Sequence, residues 1–148
     1  MDEVTELLKQ AIALEMRGVE LYSYLSANIS GLYRTILGEL FGESAKESLV
    51  HSADARMWLK ALIGLSSDVM VSGDMEPGDL PMPGVGNERE FLMAAVDQES
   101  EAVNIYSRLY SILNTTKPTN IGLLNWVQAQ VEVEQRDLIE YQMLLDQI

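Results

Sequence analysis

The chain has 148 residues, enough for one domain with a full core, and its 23 acidic against 10 basic side chains give a net charge of −13. That balance excludes nucleic acid and anionic membrane as partners, because attraction to phosphate needs a surplus of Lys and Arg. There is no cysteine, which excludes disulfides, iron–sulfur clusters, zinc ribbons and thiolate nucleophiles.

No run approaches the roughly 20 apolar residues of a membrane span. The opening, MDEVTELLKQ, is acidic and polar rather than basic and then apolar. These features read as a soluble, cytoplasmic protein.

Four helical stretches are expected in an all-α chain. The first covers residues 2–27 and ends in the turn cluster Asn28-Ile29-Ser30-Gly31. The second covers 32–64. The third opens at Asn87, a capping residue ahead of Glu88 and Glu90, and fades at Asn114 to Pro118. Thr119 or Asn120 caps the fourth, which continues to the C-terminus.

Between the second and third helices, residues 65–86 hold Gly73, Pro77, Gly78, Pro81, Pro83, Gly84 and Gly86, which exclude a continuous helix. A helix of about 24 residues is roughly 36 Å long, and about 22 extended residues reach about 70 Å, enough to cross a bundle end to end. Short, long, short is the connection pattern of a four-helix bundle with one crossover. It makes the first and second helices antiparallel, the second and third parallel, and the third and fourth antiparallel.

The amphipathic stripes carry acids where apolar side chains are expected. The first helix places Val4, Leu8, Ala11, Glu15, Gly18, Tyr22 and Leu25 on one face, and the third places Leu92, Ala95, Glu99, Ala102, Tyr106, Leu109 and Leu113. The fourth gives Val127, Val131, Glu134, Leu138, Tyr141 and Leu145, and the second puts the chain's one histidine, His51, between Phe41 and Trp58. The first and third helices echo each other, each with a glutamate, a small residue three later and a tyrosine seven later. Unpaired core carboxylates are costly, so several on different helices must share protons, meet cations or bind metal. A dimetal centre needs bridging carboxylates with imidazole or carboxylate end ligands, and hard oxygen donors with an occasional imidazole suit iron or manganese. Met16, Met57, Met93 and Met143 read as flexible core filler.

At Ala11-Ile12-Ala13-Leu14-Glu15 with Gly18 and Tyr22, Glu39-Leu40-Phe41 ahead of His51, Glu99 with Ala102 and Tyr106, and Val133-Glu134 with Asp137 to Tyr141, the chain resembles the ferritin-like superfamily, in particular its rubrerythrin and bacterioferritin branches. The resemblance covers essentially the whole chain and implies two helical hairpins, each giving one glutamate and one Glu-x-x-His pair to a dimetal site. Glu15 and Glu99 match the first ligand of each hairpin, His51 the histidine of the first pair, and Glu134 the glutamate of the second.

There are departures. Ser48 stands where the first pair has its glutamate, with Glu47 the nearest carboxylate. Asp137 stands where the second pair has its histidine. Leu49 occupies the position of the methionine in haem-binding bacterioferritins, so haem is not implied. Glu101 and Glu132 read as solvated. Tyr22 and Tyr106 read first as core packing, though tyrosines so placed lie near the cofactor in the family.

The expected metal ligands are therefore Glu15, Glu47, His51, Glu99, Glu134 and Asp137. The resemblance implies two irons per chain, with manganese as another candidate, and oxidation of ferrous iron by dioxygen or peroxide in iron handling or oxidative defence. It also implies pairing as a homodimer. The alternative is a degenerate bundle without redox activity, a binding or assembly module holding one metal or none, to which the changes at Ser48 and Asp137 point.

Overall fold

The computed structural model describes residues 2–64, 87–115 and 120–148. Four helices occupy them: α1 (Asp2–Asn28), α2 (Arg34–Ile63), α3 (Glu88–Thr115) and α4 (Ile121–Asp146). The expected crossover at 65–86 and the alternative cap Thr119 lie outside the described residues. Asn87 caps α3 as expected, its Oδ1 accepting from Arg89 N at 2.9 Å and Glu90 N at 3.3 Å. Asn120 caps α4, accepting from Leu123 N at 3.0 Å.

Helix direction follows from which side chains meet. Ser26 bonds the Gly38 carbonyl and Glu15 meets His51, so α1 and α2 run antiparallel. Tyr22 meets Glu99 while Tyr106 meets Glu15, so α3 is antiparallel to α1 and therefore parallel to α2. Ser44 meets Tyr141 and His51 meets Glu134, which sets α4 antiparallel to α2. This is the expected ferritin-like order of two antiparallel hairpins. The α1–α2 turn pivots on Gly31 at φ +107°, where an added Cβ would also lie 2.5 Å from Glu88 Oε1. Glu88 Oε2 accepts from the Tyr33 backbone N–H at 3.0 Å, tying that turn to the start of α3.

The core is divided in two. One apolar cluster, including Leu8, Ile12, Leu59, Leu109, Leu123 and Val127, fills the end where α1 and α4 begin. The other, including Leu21, Leu25, Leu37, Phe41, Phe91 and Tyr141, fills the opposite end. Between them lies a buried polar layer of Glu15, Ser48, His51, Gln98, Glu99, Gln130, Glu134 and Asp137.

The α1 and α3 stripes are buried as expected, but α4 turns slightly: Gln130 and Asp137 face inward, while Val131 and Leu138 are only half-buried. The methionines depart from expectation too. Met57, Met93 and Met143 are exposed, and half-buried Met16 turns its Sδ to Arg56 Nη2 at 2.7 Å. Met16 still packs against the first apolar cluster as expected, whereas at the other three the apolar volume is already filled by Leu, Ile and aromatic side chains and the thioethers stay outside.

Gly18 lets α1 approach two helices at the level of this layer. A Cβ there would sit 2.7 Å from Ser48 Oγ and 3.0 Å from Gln98 Nε2. Gln98 in turn donates to the Leu14 carbonyl at 2.9 Å and accepts from Arg17 Nε at 3.2 Å. Gly18→Val forces these contacts apart and is expected to destabilise the protein by about 1–3 kcal/mol, measured as a lower denaturant midpoint at unchanged slope; an unchanged midpoint would contradict the close approach.

Candidate metal centre

Each hairpin sends side chains inward from both of its helices. Glu15 from α1 and His51 from α2 meet at 2.9 Å, Oε2 to Nδ1, and His51 Nδ1 also lies 3.1 Å from Oε1 of Glu134 on α4. Glu99 from α3 stands beside Glu134 and Asp137. Among the described residues two groups of ligand atoms result, Glu15–His51–Glu134 and Glu99–Glu134–Asp137, and within each group the atoms lie within 4.8 Å of one another. Glu134 belongs to both.

Two tyrosines brace the layer by a reciprocal exchange between helices. Tyr22 of α1 donates to Glu99 Oε1 of α3 at 2.5 Å, and Tyr106 of α3 donates to Glu15 Oε2 of α1 at 3.0 Å. The echo between the first and third helices is thus a structural one, and both tyrosines go beyond packing. Tyr22 stacks on Phe41 and Tyr141, with ring centroids 6.3 and 5.9 Å away. Tyr106 meets the edge of Trp126 at 5.8 Å. These rings close the layer from either side.

The electrostatics are those of crowded, dry acids. Burial pushes Glu15 up to about 7 although His51 works against the shift. Burial and the neighbouring Glu134 carboxylate push Glu99 well above the usual carboxylate range. Asp137 rises to about 8 through burial and the adjacent Glu47. Glu134 goes the other way: burial would raise it, but Glu99 and His51 together outweigh that and hold it below its ordinary value. Burial likewise would lower His51, yet Glu134 and Glu15 raise it to about 10. The result is an imidazolium clamped between two carboxylates, with its charge where a metal cation would sit.

Among the described residues, two acceptors in the layer are left over. Glu99 Oε2 is buried and receives no hydrogen bond, and Gln130 Oε1, one turn from Glu134, is in the same position. Glu99 Oε2 lies among the carboxyls of Glu134 and Asp137, where a proton shared with Glu134 or a cation can satisfy it.

Five of the six expected ligands come together. Glu47 is placed differently: it is half-exposed, beside Asp137 and 3.8 Å from Arg136 Nη2, outside both ligand groups. Arg136 also lies 3.6 Å from Asp137 Oδ1. Glu101 pairs with Arg17 at the surface and Glu132 is exposed. The polar neighbours Gln98 and Gln130 were not anticipated; the signal available was that each lies one turn or less from a glutamate on a buried stripe.

The layer's protons dictate a pH dependence for the metal-free protein. Glu15, Asp137 and His51 all hold protons in the folded chain at pH values where the unfolded chain has released them. Stability therefore falls as pH rises, first from the ordinary carboxylate range through about 7 and 8, then from the ordinary imidazole value through about 10. Chemical denaturation of the chelator-treated protein across that range is expected to show a declining midpoint; a rising one would contradict the buried protonated layer.

No protein-family model matches the chain, and no curated protein matches it. Solved structures do. The crystal structure of ferritin-like, diiron-carboxylate proteins from Bacillus anthracis superimposes with a TM-score of 0.80 at 22% identity, over 97% of this chain and 96% of that one. A dodecameric thioferritin, the bacterioferritin-related protein from Bacteroides fragilis, gives a TM-score of 0.80 at 17% identity, over 99% of this chain and 88% of that one. With its two antiparallel hairpins and inward carboxylates, the chain is a four-helix bundle of the ferritin-like fold.

Proposed function

We propose that the protein binds a pair of iron ions in its polar layer and promotes oxidation of ferrous iron by dioxygen or peroxide, in iron handling or defence against oxidants. The observation that carries this reading is the position of Glu134, whose carboxylate belongs to both ligand groups and so is set to bridge two cations. Glu15 and His51 complete one seat, Glu99 and Asp137 the other. The diiron-carboxylate description of a structural neighbour supports iron, as does the donor set of four carboxylates and one imidazole.

Charge supports it as well. Glu15, Glu99, Glu134 and Asp137 carry four negative charges when ionised, which two divalent cations balance. In the resembled pattern a glutamate stands at Ser48 and a histidine at Asp137. The carboxylate lost at one position returns at the other, so the ligand charge is unchanged and the layer has moved a charge rather than decayed.

A bound iron pair supplies the electrons that dioxygen or peroxide takes up. The chain's own residues set the conditions. The Tyr22 and Tyr106 hydroxyls hold the Glu99 and Glu15 carboxylates in place, and the two apolar clusters keep bulk water away. His51 yields the Nδ1 proton it shares with Glu15 and Glu134 so that its lone pair faces the seat. Assembly with further copies belongs to the same reading: α2 exposes Leu49, Val50 and Met57, an apolar strip that a second subunit can cover in a homodimer.

Anaerobic ferrous titration followed by dioxygen or peroxide tests the reading, with absorbance and proton release recorded together. About two irons per chain and a ferric band are expected. At pH 7 the metal-free layer holds protons on His51, Asp137 and Glu99 and part of one on Glu15, so loading is expected to release about three to four per chain. Glu134→Ala should lose both irons, since both seats share that carboxylate. One iron or none, with oxidation no faster than in Glu134→Ala, would establish instead the degenerate bundle acting as a binding or assembly module.

A second variant separates ligation from folding. Glu99→Gln keeps the shape of a side chain that is already neutral in the metal-free protein. Its metal-free stability should stay within about 1 kcal/mol of the parent while iron uptake is lost; a large loss of stability with uptake intact would assign Glu99 a structural role.

A further inference from the structure

The two halves of the polar layer are matched at their first ligand and its tyrosine and differ in the pair that follows, Ser48 and His51 in one hairpin and Glu134 and Asp137 in the other. Glu15 with the Tyr106 hydroxyl on one side corresponds to Glu99 with the Tyr22 hydroxyl on the other, and Glu134 is common to both. What remains is His51 against Asp137. One side offers an imidazole nitrogen and carboxylate oxygens, and the other offers oxygen alone, including the unpartnered Glu99 Oε2.

Imidazole favours the later first-row ions, whereas an all-carboxylate set discriminates among them less and suits harder cations. The surroundings do not restore equivalence. Glu47 and Arg136, which flank Asp137 from the surface, bring a carboxylate and a guanidinium to that side and no imidazole nitrogen. The chain has no other histidine that can substitute on the oxygen-only side.

The geometry points to two unlike cation seats. An imidazole-bearing seat at Glu15, His51 and Glu134 takes a transition ion such as ferrous iron or cobalt(II). An oxygen-only seat at Glu99, Glu134 and Asp137 takes a harder divalent ion such as manganese(II). This inference rests on the dimetal reading above and adds to it that a mixed pair is favoured over two ions of one kind. The replacement of histidine by Asp137 then sets selectivity.

The test uses the full chain, freed of metal and loaded with one equivalent each of cobalt(II) and manganese(II). Anomalous scattering from crystals at the two absorption edges gives the occupancy of each seat. Proton NMR of the same preparation reports the ion beside His51, because the chain has a single imidazole. The cobalt-to-manganese ratio is expected to differ by at least about tenfold between the seats, with the paramagnetically shifted His51 signals near full intensity. Asp137→His should bring the two ratios together and add a second set of shifted imidazole signals.

Equal ratios in the two seats of the parent chain, with His51 signals at half intensity, would overturn the selectivity and leave the dimetal reading standing. Failure to bind a pair of any divalent ions would remove both. The parent chain alone decides the matter if Asp137→His does not fold.

Discussion

Burying carboxylates is the constraint on which the rest of this structure depends. A carboxylate taken from water into a protein interior loses several kcal/mol of solvation unless a proton, a hydrogen-bond donor or a cation replaces it. Four are gathered here in one layer with a histidine, and each is answered in a particular way. Glu99 keeps a proton, Glu134 takes the negative charge of that pair, and His51 stands charged between Glu134 and Glu15. Tyr22 and Tyr106 supply the hydroxyl donors. The helices must keep their mutual register for all of this to hold, so the layer that is least favourable to bury also dictates how the two apolar clusters are aligned.

The exchange of tyrosines links the fold to its chemistry. Each donates across to the other hairpin, so neither hairpin completes its own glutamate. Gly18 works on the same level, letting α1 press against Ser48 and Gln98 where a larger residue would hold the helices apart. The small side chain of Ser48 is therefore part of the packing.

Much of this was legible in the sequence, and the physical reason is periodicity. Glu15 and Glu99 fall on strict apolar stripes, so their burial follows from helix geometry alone, and both stripes are buried throughout. The echo of Glu15, Gly18 and Tyr22 in Glu99, Ala102 and Tyr106 likewise marks equivalent places. On α4 the pattern misled, because Val131 and Leu138 look like core while Gln130 and Asp137 occupy it. A polar layer rewards polar residues at inward positions, which an apolar template reads as outward. Glu47 lies outside both ligand groups for a related reason: its helical phase places it half-exposed, beside Asp137 and Arg136. Met57, Met93 and Met143 were misjudged because composition cannot show that leucine and aromatic side chains already fill the available volume.

The central claim is that the polar layer is built around cations. Thermal unfolding of the chelator-treated protein near pH 8, where the layer is strained by its ionising acids, tests it most directly when repeated with increasing ferrous iron under anaerobic conditions. The account predicts a midpoint that climbs with metal concentration, corresponding to about 2.7 kcal/mol at a hundredfold excess over the dissociation constant, and that does not climb when potassium chloride is raised at equal ionic strength. A midpoint indifferent to iron would contradict the account, leaving a bundle whose buried acids are satisfied by protons alone.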